Sequence, residues 1–333
     1  MREIKSKKNN PFKKIFIKIC RIFGVELIDQ SNFSIPTSNK SINETLSMPG
    51  KNSITLPMGK VDITRPVKSL NIILRTCMSV NMLTQSKNRI FEKDKEQYTK
   101  RTLISLIKSV DCAKDIFKEV KFKIHVIDHN SSKKQINDIK TILERSNLSF
   151  EILNLKFEEF SNLIENTNEE KKEVTNNQKS NMSNIHQSLV LSKEICEDLT
   201  YFVEDDYIHE KNSLTEMLFT YEKIASLTKK ELIICPTDYP FLYSQSEGTR
   251  IFLGDKKHWR QVDQTLCTFL TSKEIIERYW DQITSMCKFE HYPFEKPLHN
   301  IYKKELCISP IPSLAVHFTN INSIYGLSPN VDW

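Results

Sequence analysis

Glycine is scarce, with only six in 333 residues. No Gly-x-Gly-x-x-Gly or Gly-x-x-x-x-Gly-Lys run occurs, so the phosphate-cradling loops of dinucleotide-binding and P-loop proteins are excluded. Paired cysteines are lacking as well. None of Cys20, Cys77, Cys112, Cys196, Cys235, Cys267, Cys287 and Cys307 forms a Cys-x-x-Cys unit, and several sit in apolar runs. That spacing argues against a zinc site or disulfide framework and for reduced, mostly buried thiols of a cytosolic protein. No stretch approaches ~18 uninterrupted apolar residues, so nothing reads as a membrane span. A broad excess of charge is missing too. The formal net charge is +6, but residues 1–21 carry eight basic residues against the single acid Glu3. The remainder is close to neutral, which argues against a nucleic-acid partner.

What is present is 39% hydrophobic and 27% charged. That supports a packed core in one large domain or two modest ones. Residues 1–27 hold a basic amphipathic segment. On a helix, Phe12, Ile15, Phe16, Ile19, Cys20, Ile22 and Phe23 share one face. Lys14, Lys18 and Arg21 lie opposite, Lys13 sits at the border, and Ile17 is out of pattern. Gly24 is the expected stop. Such a helix suits an anionic membrane surface or packing on the body of the protein. Lysines interrupt the apolar core that a cleaved signal peptide needs. Residues 28–69, rich in Ser, Asn, Thr and Pro, read as a linker or extended arm. The main domain is expected over 70–333. The expected location is cytoplasmic, on the inner face of a membrane where the basic helix docks.

From Leu70 onward, short apolar runs alternate with helical patterns. Leu70–Thr76, Phe122–Asp128, Phe150–Leu155 and Tyr201–Glu204 read as strands. Helical periodicity lies over Leu103–Phe117, Ile136–Leu143 and Ile185–Leu199, and Asn166–Asn184 reads as a polar loop. This alternation predicts an α/β fold with a mostly parallel sheet flanked by helices. Later, Leu214–Ala225 and Ile275–Ile283 read as helices, and Leu232–Cys235 as a strand. Arg250–Leu253 and Thr265–Leu270 read as a strand pair, and Pro312–Phe318 contains a last short strand. No internal repeat is evident.

Ligands of such sheets bind beyond the carboxyl ends of the strands. That rule selects Arg75 and Thr76, Asp128, and Glu204-Asp205-Asp206. Three adjacent carboxylates repel one another unless they are solvated or neutralised by a cation. Hard cations such as Mn²⁺ or Mg²⁺ take oxygen ligands of this kind and bridge to diphosphate oxygens. An acidic turn or a helix N-terminus is the plainer alternative. His258-Trp259-Arg260 offers a phosphate grip and an aromatic platform, or else a surface loop with a buried Trp anchor. Asp238, in the rigid turn Pro-Thr-Asp-Tyr-Pro, and Asp263 are the carboxylates that suit a general base.

Residues 70–333 resemble a GT-A glycosyltransferase, a Rossmann-like fold, near the large inverting family-2 group in the first half. Val126-Ile127-Asp128-His129-Asn130-Ser131-Ser132 resembles that family's strand ending in Asp-Asp-Gly-Ser. Glu204-Asp205-Asp206 resembles its Asp-x-Asp motif. Two departures stand out: Glu replaces the first Asp at 204, and His129-Asn130 replaces Asp-Gly. The resemblance implies that Asp128 contacts the nucleotide base or ribose, and that Arg75, Asn184, Ser188, Asp205, His258, Trp259 and Arg260 face a nucleotide-sugar donor. It implies metal ligation by Glu204 and Asp206, completed by the late His317. The activity implied is transfer of a sugar from a nucleotide-diphosphate sugar to a glycan or lipid-linked acceptor, inverting or retaining. A nucleotidyltransferase shares the α/β fold and the metal acids. A metal-dependent hydrolase calls for more clustered His and Asp. A catalytically degenerate, membrane-associated nucleotide-binding module is the non-enzyme alternative.

Overall fold

A computed structural model describes residues 11–25, 49–50, 53–56, 59–79, 94–239 and 249–318. Helix α1 spans Pro11–Ile22, and strands β1 (Ser53–Leu56) and β2 (Gly59–Asp62) form an antiparallel hairpin. The body runs β3 (Ser69–Thr76), α2 (Lys95–Ile116), β4 (Lys121–Asp128), α3 (Lys133–Glu144), β5 (Ser149–Asn154), α4 (Phe157–Ser161), α5 (Asn176–Ile195) and β6 (Leu199–Glu204). It continues β7 (Tyr207–His209), α6 (Ser213–Thr228), β8 (Leu232–Ile234), β9 (Ile251–Leu253), β10 (His258–Gln261) and β11 (Phe269–Ser272). Helices α7 (Lys273–Arg278), α8 (Trp280–Ser285) and α9 (Lys296–Tyr302) precede β12 (Leu306–Ile311) and β13 (Ala315–His317).

Nine strands form one sheet in the order β5-β4-β3-β6-β11-β8-β12-β10-β9. The four on the β5 side pair in parallel, as does β8 with β12. β11 and β10 run against the rest. The result is the mostly parallel α/β sheet that the alternation predicts.

Period-two alternation along each strand explains the two cores. Leu70, Ile72 and Leu74 of β3 join Leu199, Tyr201 and Val203 of β6 on one face, under α2, α3 and α6. Ile73 and Phe202 face the other way, under α5, α7, α8 and α9. Helices cover both faces, as a sheet with a parallel half requires.

Several boundaries differ from the sequence reading. Helix α5 begins at Asn176 rather than Ile185, because Thr175 and Gln178 form a reciprocal capping box. The body begins before Leu70. Val67 is in the core, its N–H donates to Glu222 Oε1 at 2.8 Å, and Arg65 pairs with Glu231 at 2.7 Å. The described part of 28–69 also contains the β1–β2 hairpin, so that span is not wholly linker. Residues 250–253 and 265–270 do not pair with each other. β9 pairs with β10, whereas β11 lies between β6 and β8. The helix expected over 275–283 breaks at Tyr279 into α7 and α8.

Candidate active site

Parallel pairing sets the first layer of the site. The registers place Thr76 opposite Asp128 and Arg75 opposite Glu204. The polar ends of β3, β4 and β6 therefore share one edge. Arg75, like Ile73, points to the α5 face. There its Nη1 donates to Asn181 Oδ1 at 3.0 Å and its Nη2 lies 3.2 Å from Glu204 Oε1. Thr268 Oγ1 donates to Glu204 Oε2 at 3.1 Å.

The acidic triplet separates by direction. Asp205 turns back under the edge: Thr99 Oγ1 donates to it at 3.0 Å, Cys77 N–H at 3.3 Å, and Lys95 Nζ is 3.5 Å away. Burial, with the charge of Asp206, raises its pKa against these partners. Asp205 thus ties β6 to α2 through Thr99 and Lys95.

Asp206 occupies the tight turn between β6 and β7. Antiparallel pairing of β13 with β7 sets His317 opposite Tyr207. His317 Nε2 then meets Asp206 Oδ2 at 3.1 Å, and Phe318 N–H donates to Asp206 O at 2.9 Å. Burial alone would lower the His317 pKa. The charges of Asp206, Glu204 and Glu295 outweigh it and hold the imidazole above its usual value.

Glu295 is a member of this group that the sequence reading missed. It is the residue before α9, partly buried, with Oε1 3.9 Å from Cys267 Sγ. Burial and the charge of Glu204 push its pKa up to about 7, against the opposing charges of His317 and Arg75. Only an acid standing alone in Pro-Phe-Glu-Lys-Pro marked it in the sequence, and no pattern there connects it to the acidic strand end.

Among the described residues, no three His, Cys, Asp or Glu side chains form a ready-made metal cage. The Asp206–His317 pair nevertheless fits part of one. Neighbouring ligands on a small cation with bonds of about 2.1 Å stand about 3 Å apart. Mg²⁺ is commonly held by one or two carboxylates plus substrate phosphates and water. The surplus of carboxylate over Arg75 at this edge also favours a cation.

Other expected residues fall elsewhere. Asp128 is buried and takes bonds from Thr76 Oγ1 at 2.7 Å and from Ser131 Oγ and N–H at 2.6 and 3.1 Å. It shapes the turn that begins with His129, whose ring stacks on Phe157 at 4.9 Å. Asn184 Nδ2 donates to Ile127 O at 3.1 Å, and Ser188 Oγ donates to Asn184 O at 2.7 Å, so both fasten α5. Trp259, expected as a sugar platform, is 0% exposed, and its Nε1–H donates to Glu216 at 3.1 Å. Arg260 is buried against Asp238, Nη2 to Oδ1 at 2.6 Å. That pair joins the Asp238 turn to β10 in the interior. Asp263 is partly buried and its charge acts on His299. His258 is exposed at the start of β10. The ≈480 Å³ cavity at the opposite edge is bordered by Arg65–Glu231 and Arg278–Glu305 pairs, away from this cluster.

No protein-family model and no curated protein matches the sequence. Solved structures similar to the chain include glycosyltransferases and nucleotidyltransferases. S. aureus TarS is 14% identical over 63% of this chain, at a TM-score of 0.36, and this chain spans only 29% of it. A UDP-glucose pyrophosphorylase complexed with UDP-glucose is 8% identical over 77% of this chain and 95% of its own, at 0.38. The galactosyltransferase LgtC, in complex with donor and acceptor sugar analogues, is 12% identical over 77% of this chain and 89% of its own, at 0.34. At these scores the functional reading rests on the chain's own geometry.

Proposed function

We propose that the chain is a metal-dependent glycosyltransferase that moves a sugar from a nucleotide-diphosphate sugar to a hydroxyl of a glycan or lipid-linked acceptor. The observation that carries this reading is the strand-edge group of Asp206, His317, Glu204, Arg75 and Glu295. Asp206 and His317, with Glu204 beside them, are the residues that would hold Mn²⁺ or Mg²⁺. A metal bound there supplies Lewis-acid stabilisation of charge on the departing diphosphate. Arg75 has a second role in that reading. It adds positive charge beside the diphosphate while its Nη2 stays paired with Glu204 Oε1 at 3.2 Å. Asp128 holds the turn that carries His129, whose ring stacks on Phe157 of α4. Glu295 takes the proton of the acceptor hydroxyl as its oxygen bonds to the anomeric carbon and the carbon–diphosphate bond breaks. A carboxyl poised near neutrality suits that transfer.

Thermal stabilisation by UDP-, GDP- and CMP-sugars, with and without Mn²⁺, tests the reading. A metal-dependent shift with a UDP- or GDP-sugar and slow release of the corresponding nucleoside diphosphate are expected. Absence of any metal-dependent shift would reject it. Pyrophosphate-dependent formation of a nucleoside triphosphate would move the assignment to a nucleotidyltransferase.

A further inference from the structure

Helix α1 is not absorbed by the site. Phe12, Ile15, Phe16, Ile19, Ile22 and Phe23 fall within an arc of about 120° at the helical spacing of 100° per residue. All six are 45–79% exposed, and none belongs to either core. The helix is terminated to keep that arc intact. Gly24 adopts φ +74°, its N–H donates to Arg21 O at 3.0 Å, and Val25 N–H donates to Cys20 O at 2.9 Å. This pair of bonds is a Schellman stop, and only glycine adopts its left-handed position without strain. Val25, just past the stop, is exposed as well.

Charge selects the occupant. Eight basic residues against one acid stand in residues 1–21. A second copy of the same segment would bring like charges together around the apolar arc. A surface of lipid phosphates matches both features at once, taking the apolar arc between acyl chains and the cations among headgroups. We propose that α1 docks the protein flat on an anionic lipid surface, with the Phe12–Phe23 arc inserted and Lys18 and Arg21 at headgroup level. This proposal does not depend on the glycosyltransferase reading.

Co-sedimentation of the full chain with vesicles tests it. Wild-type protein is expected on mixed phosphatidylglycerol–phosphatidylcholine vesicles and not on phosphatidylcholine alone. The doubly substituted Ile15→Glu, Ile19→Glu and Lys18→Glu, Arg21→Glu proteins should each lose on the order of ten-fold in bound fraction. Nucleotide-induced thermal shifts should stay as in wild type, because neither pair lies at the strand edge. Equal binding to both vesicle types, or unchanged binding of the Ile15→Glu, Ile19→Glu protein, would overturn the proposal. So would a wild-type dimer by light scattering that the same substitutions convert to monomer, since a second copy would then cover the arc.

Discussion

His317 Nε2 stands 3.1 Å from Asp206 Oδ2, and its ring lies parallel to that of Tyr207 with centroids 4.5 Å apart. These residues are 111 positions apart in the chain. The stack fixes the imidazole plane and the β7–β13 pairing fixes its height. Replacing either partner should therefore remove nucleotide affinity that depends on metal. Asp206→Ala and His317→Ala should each weaken Mn²⁺-dependent binding of the nucleoside diphosphate on the order of 100-fold. Calorimetry with and without Mn²⁺ reads this directly. Undiminished metal-dependent affinity in both variants would remove the pair from the site.

Glu295 and Asp238 separate by what their loss does. Glu295→Gln should leave the melting temperature near wild type and lower kcat by 100-fold or more, roughly the contribution of a general base. The wild-type rate should rise with pH through about 7, because burial and Glu204 raise the Glu295 pKa to that value. A raised acid pKa means the base form is present only above it, so activity is lost below about 7. Arg75 and His317 face the same carboxyl with opposing charge. A pH–rate profile that keeps its acidic limb in Glu295→Gln would reject this assignment.

Asp238→Ala should act on stability. It strips the buried partner from Arg260, and breaking such a pair costs about 3–5 kcal/mol. Denaturant unfolding measures that loss. A fully stable Asp238→Ala protein with no transferase activity would return Asp238 to the catalytic candidates.

Glu216 anchors the β9–β10 hairpin. It accepts from the N–H groups of Asp255, Lys256 and Lys257 at 2.9, 2.8 and 3.3 Å, and from Trp259 Nε1–H at 3.1 Å. Glu216→Ala leaves the buried Trp259 Nε1–H and three part-buried N–H groups without that acceptor and should cost on the order of 3 kcal/mol. Gly254→Ala should also destabilise, since its added carbon would stand 2.5 Å from Trp259 Nε1. Faster proteolysis within 249–261 is the readout, and wild-type resistance in Glu216→Ala would contradict the anchoring role.

Glu222 makes a stability prediction with a sign. Burial raises its pKa from 4.5 to about 7 while it accepts from Val67 N–H at 2.8 Å, with Asp198 raising and Arg65 lowering the value. The folded state therefore favours the protonated acid. Stability falls between about pH 4.5 and 7, as the unfolded chain ionises first, and is level above. Glu222→Gln keeps an acceptor without the charge. It should gain on the order of 1–3 kcal/mol at pH 8 and little at pH 4.5. Equal effects at both pH values would sink this account.

Local periodicity carried much of the fold into view. The apolar runs ending at Thr76, Asp128 and Glu204 are strands because their alternating side chains fill two cores at once. β12 was missed because Pro310 breaks the strand pattern. The strand tolerates it because pairing with β8 ends at Ile308. The start of α5 was missed because its first turn is polar, and its signal is the Thr175–Gln178 capping box rather than an apolar stripe.

For the site, the sequence by itself determined which acids stand at the carboxyl ends of parallel strands, since strand ends are written in local pattern. It could not determine where each carboxylate points. Successive side chains diverge at the end of β6, so Asp205 is spent on Lys95 and Thr99 while Asp206 meets His317. Trp259 and Arg260 looked like ligand contacts because their chemistry suits one. Only packing against Glu216 and Asp238 decided that they belong to the interior. Glu295 was decided by tertiary structure alone, because the environment that raises its pKa comes from residues distant in the chain: Glu204, His317 and Arg75. The apolar face of α1 was legible from spacing at once, and the structure adds that neither core covers it.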